Sequence, residues 1–177
     1  DLENHFGDDA SIDIETNKEI LAFLVKNSAE TSTMEASWNF LNSINNKDII
    51  AIMEDVIKYY DFSVVEGIRT AEKQQEYFNT GRSKLDGIKV KSKHQDDGSG
   101  KSRAIDIMPF KQGENAFSGK EKDNRRFYYL AGLVKMSAIK LKEAGVITHD
   151  IRWGGDWDSD DVYTDQNFDD LPHFELV

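Results

Sequence analysis

Hydrophobic residues recur at helical spacing in several separated stretches of this 177-residue chain, with short apolar runs between them. In 17–27, Ile20, Leu21, Leu24 and Val25 fit one face of a short amphipathic helix. A polar break over 28–33 precedes a second helical stretch at about 35–44. Asn46 is placed to cap a longer helix over 47–60, whose stripe of Ile49, Ile50, Met53, Val56, Ile57 and Tyr60 faces a core. Thr70 is placed to cap a helix over 71–79, with Gly81 as its stop. Over 121–144 the period puts Phe127, Leu130, Val134, Ala138 and Leu141 on one face, and Gly145 ends the run.

The apolar runs between these helices read as strands. Residues 61–67 (DFSVVEG) are short and β-branched, and 104–108 (AIDIM) are apolar except for Asp106, with Pro109 ending the run. Residues 151–153 and 173–177 complete the set. Long polar loops join them over 82–103, 110–120 and 154–170, and an acidic lead-in covers 1–16. Helices come first and the strands are scattered, without a βαβ rhythm or an internal repeat. That order predicts an α+β domain with a small antiparallel sheet packed against helices. The length suits one ordinary core.

Composition removes several function classes. With no cysteine, disulfides and thiolate metal sites are excluded. A formal net charge of −11 argues against a nucleic-acid backbone as the main ligand. No apolar run approaches the roughly 18–20 residues that cross a bilayer. The chain opens on Asp1 and shows no signal-peptide pattern.

The chemistry gathers at a few polar residues in rigid settings. Asp106 interrupts an apolar strand, where a carboxylate needs either a cation or an open, solvated face. His94 lies in the polar loop, and His173 follows Pro172 at the start of the last strand. A lone loop histidine is usually a surface residue, but together these three would supply the N and O donors of a catalytic zinc site, which keeps one position open for water. Such a site also needs a proton carrier. Asp170, three residues before His173, is the first choice, and Glu175, on the strand face of His173, is its competitor. Arg69, between a strand and a helix, can steady an oxyanion or simply form a surface salt bridge.

From about Tyr60 to Val177 these residues carry a family resemblance. FSVVEGIRT (62–70) resembles the strand–Gly–x–Arg segment of the LAS-type zinc peptidases, the superfamily of D-alanyl-D-alanine carboxypeptidases. Ser92-Lys93-His94 is similar to its Ser-x-His motif, and Ala104-Ile105-Asp106 with Pro109 to its Ala-x-Asp segment. Trp153-Gly154-Gly155-Asp156-Trp157 and the acid-x-x-His of Asp170–His173 complete the pattern. More narrowly, the chain resembles the L-alanyl-D-glutamate peptidases that serve as phage endolysins and bacterial wall hydrolases. The resemblance implies zinc on His94, Asp106 and His173, Asp170 as general base and acid, and Arg69 on the carbonyl oxygen. It also implies substrate contacts at Ser92 and Trp153, a zinc site in a cleft over the sheet, and peptidoglycan peptide stems as the partner. The wall would be reached by phage-directed lysis or by export, and a monomer is expected.

The chain departs from the family at one place. The link from Gln95 to Ile105 is longer than usual and carries the polar stretch DDGSG (96–100). Residues 1–42 match nothing in the pattern and are read as a separate helical extension, leaving 43–177 as the peptidase domain. Asp156, Asp158 and Asp160 alternate as in the first half of an EF-hand loop, which admits calcium, although Asp161 and Asn167 replace the expected Gly and Glu. The other reading of that loop is a solvated acidic turn. The leading function is a zinc-dependent endopeptidase of peptidoglycan stems. A D-alanyl-D-alanine carboxypeptidase and a non-catalytic zinc-containing wall-binding module are the alternatives.

Overall fold

The computed structural model describes residues 44, 46–110, 113, 118 and 120–177, all within one compact unit, Ser37–Val177. The expected extension over 1–42 lies outside the described residues, with its helix at 17–27, as does all but Ile44 of the helix at 35–44. The elements are α1 (Lys47–Val56), β1 (Phe62–Glu66), α2 (Ala71–Asn79), β2 (Ala104–Pro109), α3 (Glu121–Glu143), β3 (Ile151–Trp153) and β4 (His173–Leu176). The four strands form one antiparallel sheet in the order β1-β2-β4-β3. The α+β class is therefore the observed one.

Local chemistry sets the helix ends. The Asn46 side chain accepts from the Asp48 amide and starts α1. Thr70 Oγ1 accepts from the Lys73 amide at 3.2 Å and starts α2. α1 stops at Val56, earlier than the apolar stripe suggests, because the chain must turn through 57–60 to enter β1 at Phe62. Pro109 is the last residue of β2, paired with Phe62, and does not fall beyond the strand as its lack of an N–H suggested.

The core lies between one face of the sheet and helices α1 and α3. Ile49, Ile52, Met53 and Val56 of α1 meet Leu130, Ala131 and Val134 of α3, with Ile105, Ile107, Phe174 and Leu176 from the sheet. The buried face of α1 is turned slightly from the expected stripe. Ile52 is fully buried, whereas Ile50 and Ile57 are only half-buried. Alternation in β2 and β4 sends Ile105, Ile107, Phe174 and Leu176 to the helices, and so sends Asp106, His173 and Glu175 to the opposite face.

Asp48 ties the first turn of α1 to the turn after α3. Its Oδ2 accepts from the Thr148 amide (3.0 Å), the Thr148 hydroxyl (3.1 Å), the His149 amide (3.2 Å) and His149 Nδ1 (2.7 Å). Burial alone would raise the Asp48 pKa, but these bonds outweigh it and leave the carboxyl below its ordinary value. Asp48→Ala strands several donors and is expected to cost about 3 kcal/mol, read by urea denaturation at pH 7. Because the folded pKa is depressed, this contribution is complete above the unfolded value of about 3.9 and fades as pH falls through the lower folded value. The stability difference between variant and parent should therefore shrink in acid.

Candidate metal centre

Sheet register builds the site. Asp106 on β2 stands directly opposite His173 on β4 and, across a bulge on the other side, opposite Glu66 at the end of β1. One row across the sheet thus carries Glu66, Asp106 and His173. The third member comes from a loop. His94 is held under β1 by its Nδ1, which donates to the Gly67 carbonyl at 2.8 Å, while its own carbonyl accepts from the Arg69 amide at 2.8 Å.

The three side chains converge. His94 Nε2 lies 3.1 Å from Asp106 Oδ1 and 3.1 Å from His173 Nδ1, and His173 Nδ1 lies 3.0 Å from Asp106 Oδ1. His94 and His173 are buried. The proton of His94 is committed to Gly67, so in the neutral ring Nε2 presents a lone pair. His173 Nε2 lies 3.2 Å from Glu175 Oε2, so its proton is committed there and Nδ1 likewise presents a lone pair. Two imidazole lone pairs and a carboxylate oxygen therefore face one another. A single proton can bridge one edge of that triangle, whereas a divalent cation satisfies all three corners.

The electrostatics agree. Burial alone would raise the Asp106 pKa, but hydrogen bonds to His173 and His94 hold it well below the carboxylate range. Burial alone would lower His173, but bonds to Asp106 and Glu175 push it up to about 9. Both shifts are in the direction that favours positive charge at the site. The donor set also fits zinc. Tetrahedral ligands about 2.0–2.1 Å from a metal stand roughly 3.3 Å apart, slightly wider than the edges seen here. Two imidazoles and one carboxylate leave a fourth position open.

Glu175 and Asp170 separate clearly. Burial would raise Glu175, but its bonds to His173 and Arg152 bring it to about 2. Its 3.2 Å contact with His173 Nε2 fixes the orientation of that ring. Asp170 is half-buried, and burial first, then the Asp106 charge, raise its pKa against the opposing pull of His173, His94 and Arg69. Its backbone is fixed from both sides: its amide donates to the Gly154 carbonyl at 2.8 Å, and its carbonyl accepts from the His173 amide at 2.9 Å. A Cβ on Gly154 would stand 2.4 Å from the Asp170 carbonyl oxygen, so the close approach requires glycine.

Arg69 is pinned beside this group. Nε donates to Glu66 Oε1 at 2.9 Å, a second nitrogen pairs with Glu66 Oε2, and Nη1 donates to Gln74 Oε1 at 2.7 Å. Three of its five N–H donors are committed to fixing the guanidinium in place, and the other two meet no acceptor among the described residues. Neither Glu66 nor the fully buried Gln74 stood out in the sequence, because their role depends on where Arg69 folds.

The remaining expected residues divide. The Ser92 hydroxyl accepts from the His94 amide at 3.3 Å and so shapes the turn that presents His94. Trp153, expected as a substrate contact, packs in the core. It is 2% exposed, its Nε1 donates to the Leu171 carbonyl at 2.8 Å, and Tyr128 and Tyr163 pack edge-on against it. Trp157 instead lies against the site, half-buried, its ring 5.4 Å from that of His173. Asp156, Asp158 and Asp160 do bring carboxylate oxygens within 4.8 Å of one another, and Asp161 takes the left-handed φ (65°) that glycine would. The buried member, however, is already matched. Asp156 Oδ2 accepts from Lys135 Nζ at 3.1 Å and Oδ1 from the Asp160 amide at 3.1 Å. The calcium expectation gains no support from this arrangement.

The long insertion folds on itself. Asp96 Oδ1 accepts from the Gly98 and Gly100 amides (2.8 and 2.7 Å), and the Arg103 amide returns to the Lys93 carbonyl at 2.9 Å. The chain leaves and re-enters at one point, so the added residues project outward and His94 keeps its distance to Asp106.

Known proteins bear on this geometry. The family model of the phage L-alanyl-D-glutamate peptidases matches residues 33–177, starting upstream of the expected boundary at 43. The crystal structure of the Serratia marcescens L-Ala D-Glu endopeptidase ChiX shares the fold, with a TM-score of 0.55 and 24% identity over 80% of this chain and 86% of its own. Among curated protein sequences none matches.

Proposed function

The chain belongs to the phage L-alanyl-D-glutamate peptidase family, and from that premise we propose that it is a zinc-dependent endopeptidase of peptidoglycan stems, cutting between L-alanine and D-glutamate. The observation that carries the zinc is the triangle of lone pairs formed by His94 Nε2, His173 Nδ1 and Asp106 Oδ1. Zinc held by His94, Asp106 and His173 would supply Lewis-acid chemistry and make a water nucleophile available at neutral pH. The chain's own groups do the rest. Asp170 takes the proton of the attacking water on its carboxylate and returns it to the leaving amine nitrogen. The two uncommitted N–H donors of Arg69 hold the carbonyl oxygen as it gains charge. Glu175 and Gly67 keep the two imidazoles in the tautomers that aim their lone pairs inward. Among the described residues no helix is long and apolar enough to cross a membrane.

Mass spectrometry of products from defined muropeptides tests the bond. A stem released with a new D-glutamate amino end, leaving L-alanine on the glycan side, is the expected outcome, with zinc-reconstituted protein active and chelated protein inactive. Release of single D-alanine would replace this reading with a carboxypeptidase. Wall binding without any product would replace it with a binding module.

A further inference from the structure

Residues 82–93 carry five cations, Arg82, Lys84, Lys89, Lys91 and Lys93, against one carboxylate, Asp86: a net +4 in a chain of net charge −11. All five cations are exposed. None forms an ion pair with a described residue, whereas Lys135, Lys140, Lys142 and Arg152 elsewhere each meet a carboxylate. The lone Asp86 is engaged by its own turn, its Oδ1 accepting from the amides of Ile88, Lys89 and Val90 at 2.9–3.1 Å. Unmatched positive charge is thus concentrated in one segment.

That segment is rigid and borders the site. Gln74 Nε2 donates to the Leu85 carbonyl at 2.7 Å, and Gln95 Nε2 to the Gly87 carbonyl at 3.0 Å. Both glutamines are buried, and Gln74 also holds Arg69. A Cβ at Gly87 would meet Gln74 Cγ at 2.5 Å, and its φ of +73° also calls for glycine. Lys93 precedes His94, and Lys84 Nζ lies 5.9 Å from the ring of Phe168, two residues before Asp170. Loop 154–170, to which Phe168 belongs, has seven aspartates and neither Lys nor Arg.

We propose that residues 82–93 form a substrate-capturing surface beside the His94–Asp106–His173 site, holding the carboxylates of an anionic peptidoglycan strand. The inference rests on the peptidoglycan reading above and adds how the strand is held and oriented. Within a screening length of about 8 Å at physiological salt, local charges decide the encounter, so a strongly acidic protein can still engage a polyanion through such a patch. Carboxylates are the ligand argued here because a D-glutamyl stem carries one beside the scissile bond.

The test compares the full zinc-loaded chain with the triple variant Lys84→Gln/Lys89→Gln/Lys91→Gln on purified walls stripped of phosphate polymers. The variant is expected to show a KM about tenfold higher at low ionic strength with kcat unchanged, and to match the parent in high salt. Converting the wall carboxylates to amides should give the parent the KM of the variant, and Lys→Arg at the same positions should restore it. Equal KM values at every salt concentration would overturn the proposal, as would a loss confined to kcat. A difference seen only on walls that retain phosphate polymers would reassign the ligand, and so would one seen only with anionic lipid vesicles. Pelleting of each protein with stripped walls reads the same contrast without turnover, so an inactive parent would sink the peptidase reading while leaving this one measurable.

Discussion

Hydrolysis of purified cell walls is expected to fall to background when His94 is replaced by alanine, with the protein still folded. His94 Nε2 supplies one of three corners, and its loss leaves two donors, too few to hold a catalytic zinc against solvent. Chelation should reproduce the defect in the parent, and added zinc should reverse it there but not in the variant. The fold survives because the sheet and its helices are built on the other face of β2 and β4, where Ile105, Ile107, Phe174 and Leu176 are buried. Far-UV circular dichroism and the urea midpoint check that point. Glu175→Gln makes an informative contrast. It keeps all three ligands but weakens the partner that fixes the His173 tautomer, so zinc affinity should fall about 10–100-fold and excess zinc should restore activity. Full wall hydrolysis by His94→Ala under chelation would remove the metal site from the mechanism.

The elements of this fold were legible because each rests on local chemistry: the Asn46 and Thr70 caps, the stop at Gly145, and the apolar run around Asp106. The candidate ligands were legible as residue types in order along the chain. Their meeting was not, because it depends on register. Nothing local says that Asp106 pairs across from His173 rather than from Glu175, and a one-residue slip would send His173 into the core. The same limit hid the anchoring of Arg69. Glu66 looks like any strand-terminal carboxylate until the bulge after Val64 sets it beside the guanidinium. Two tryptophans in WGGDW could each have served the site. Trp153 is fixed in the core by the ladder to Phe174, and the turn after it brings Trp157 to His173. The insertion before Asp106 was visible as extra length, but its harmlessness follows from Arg103 returning to Lys93.

Asp170→Asn is expected to lower kcat about 10²–10⁴-fold, the usual worth of a positioned proton carrier, while changing KM little. The amide is nearly isosteric, and the backbone bonds to Gly154 and His173 do not involve the side chain, so the geometry of the site is kept. The metal should bind the variant as well as it binds the parent, which separates this loss from that of His94→Ala. The pH profile gives a second readout. As a base Asp170 works ionised, and burial, reinforced by the Asp106 charge, raises its pKa. A raised pKa moves the acid limb of activity above the ordinary carboxylate value of about 3.9. In Asp170→Asn that limb should vanish from the residual rate. Glu175 differs from Asp170 in that its partners His173 and Arg152 lower its pKa to about 2. Retention of both the rate and the acid limb in Asp170→Asn would transfer the proton to another group, and no other carboxylate with a raised pKa shares this site's charges among the described residues.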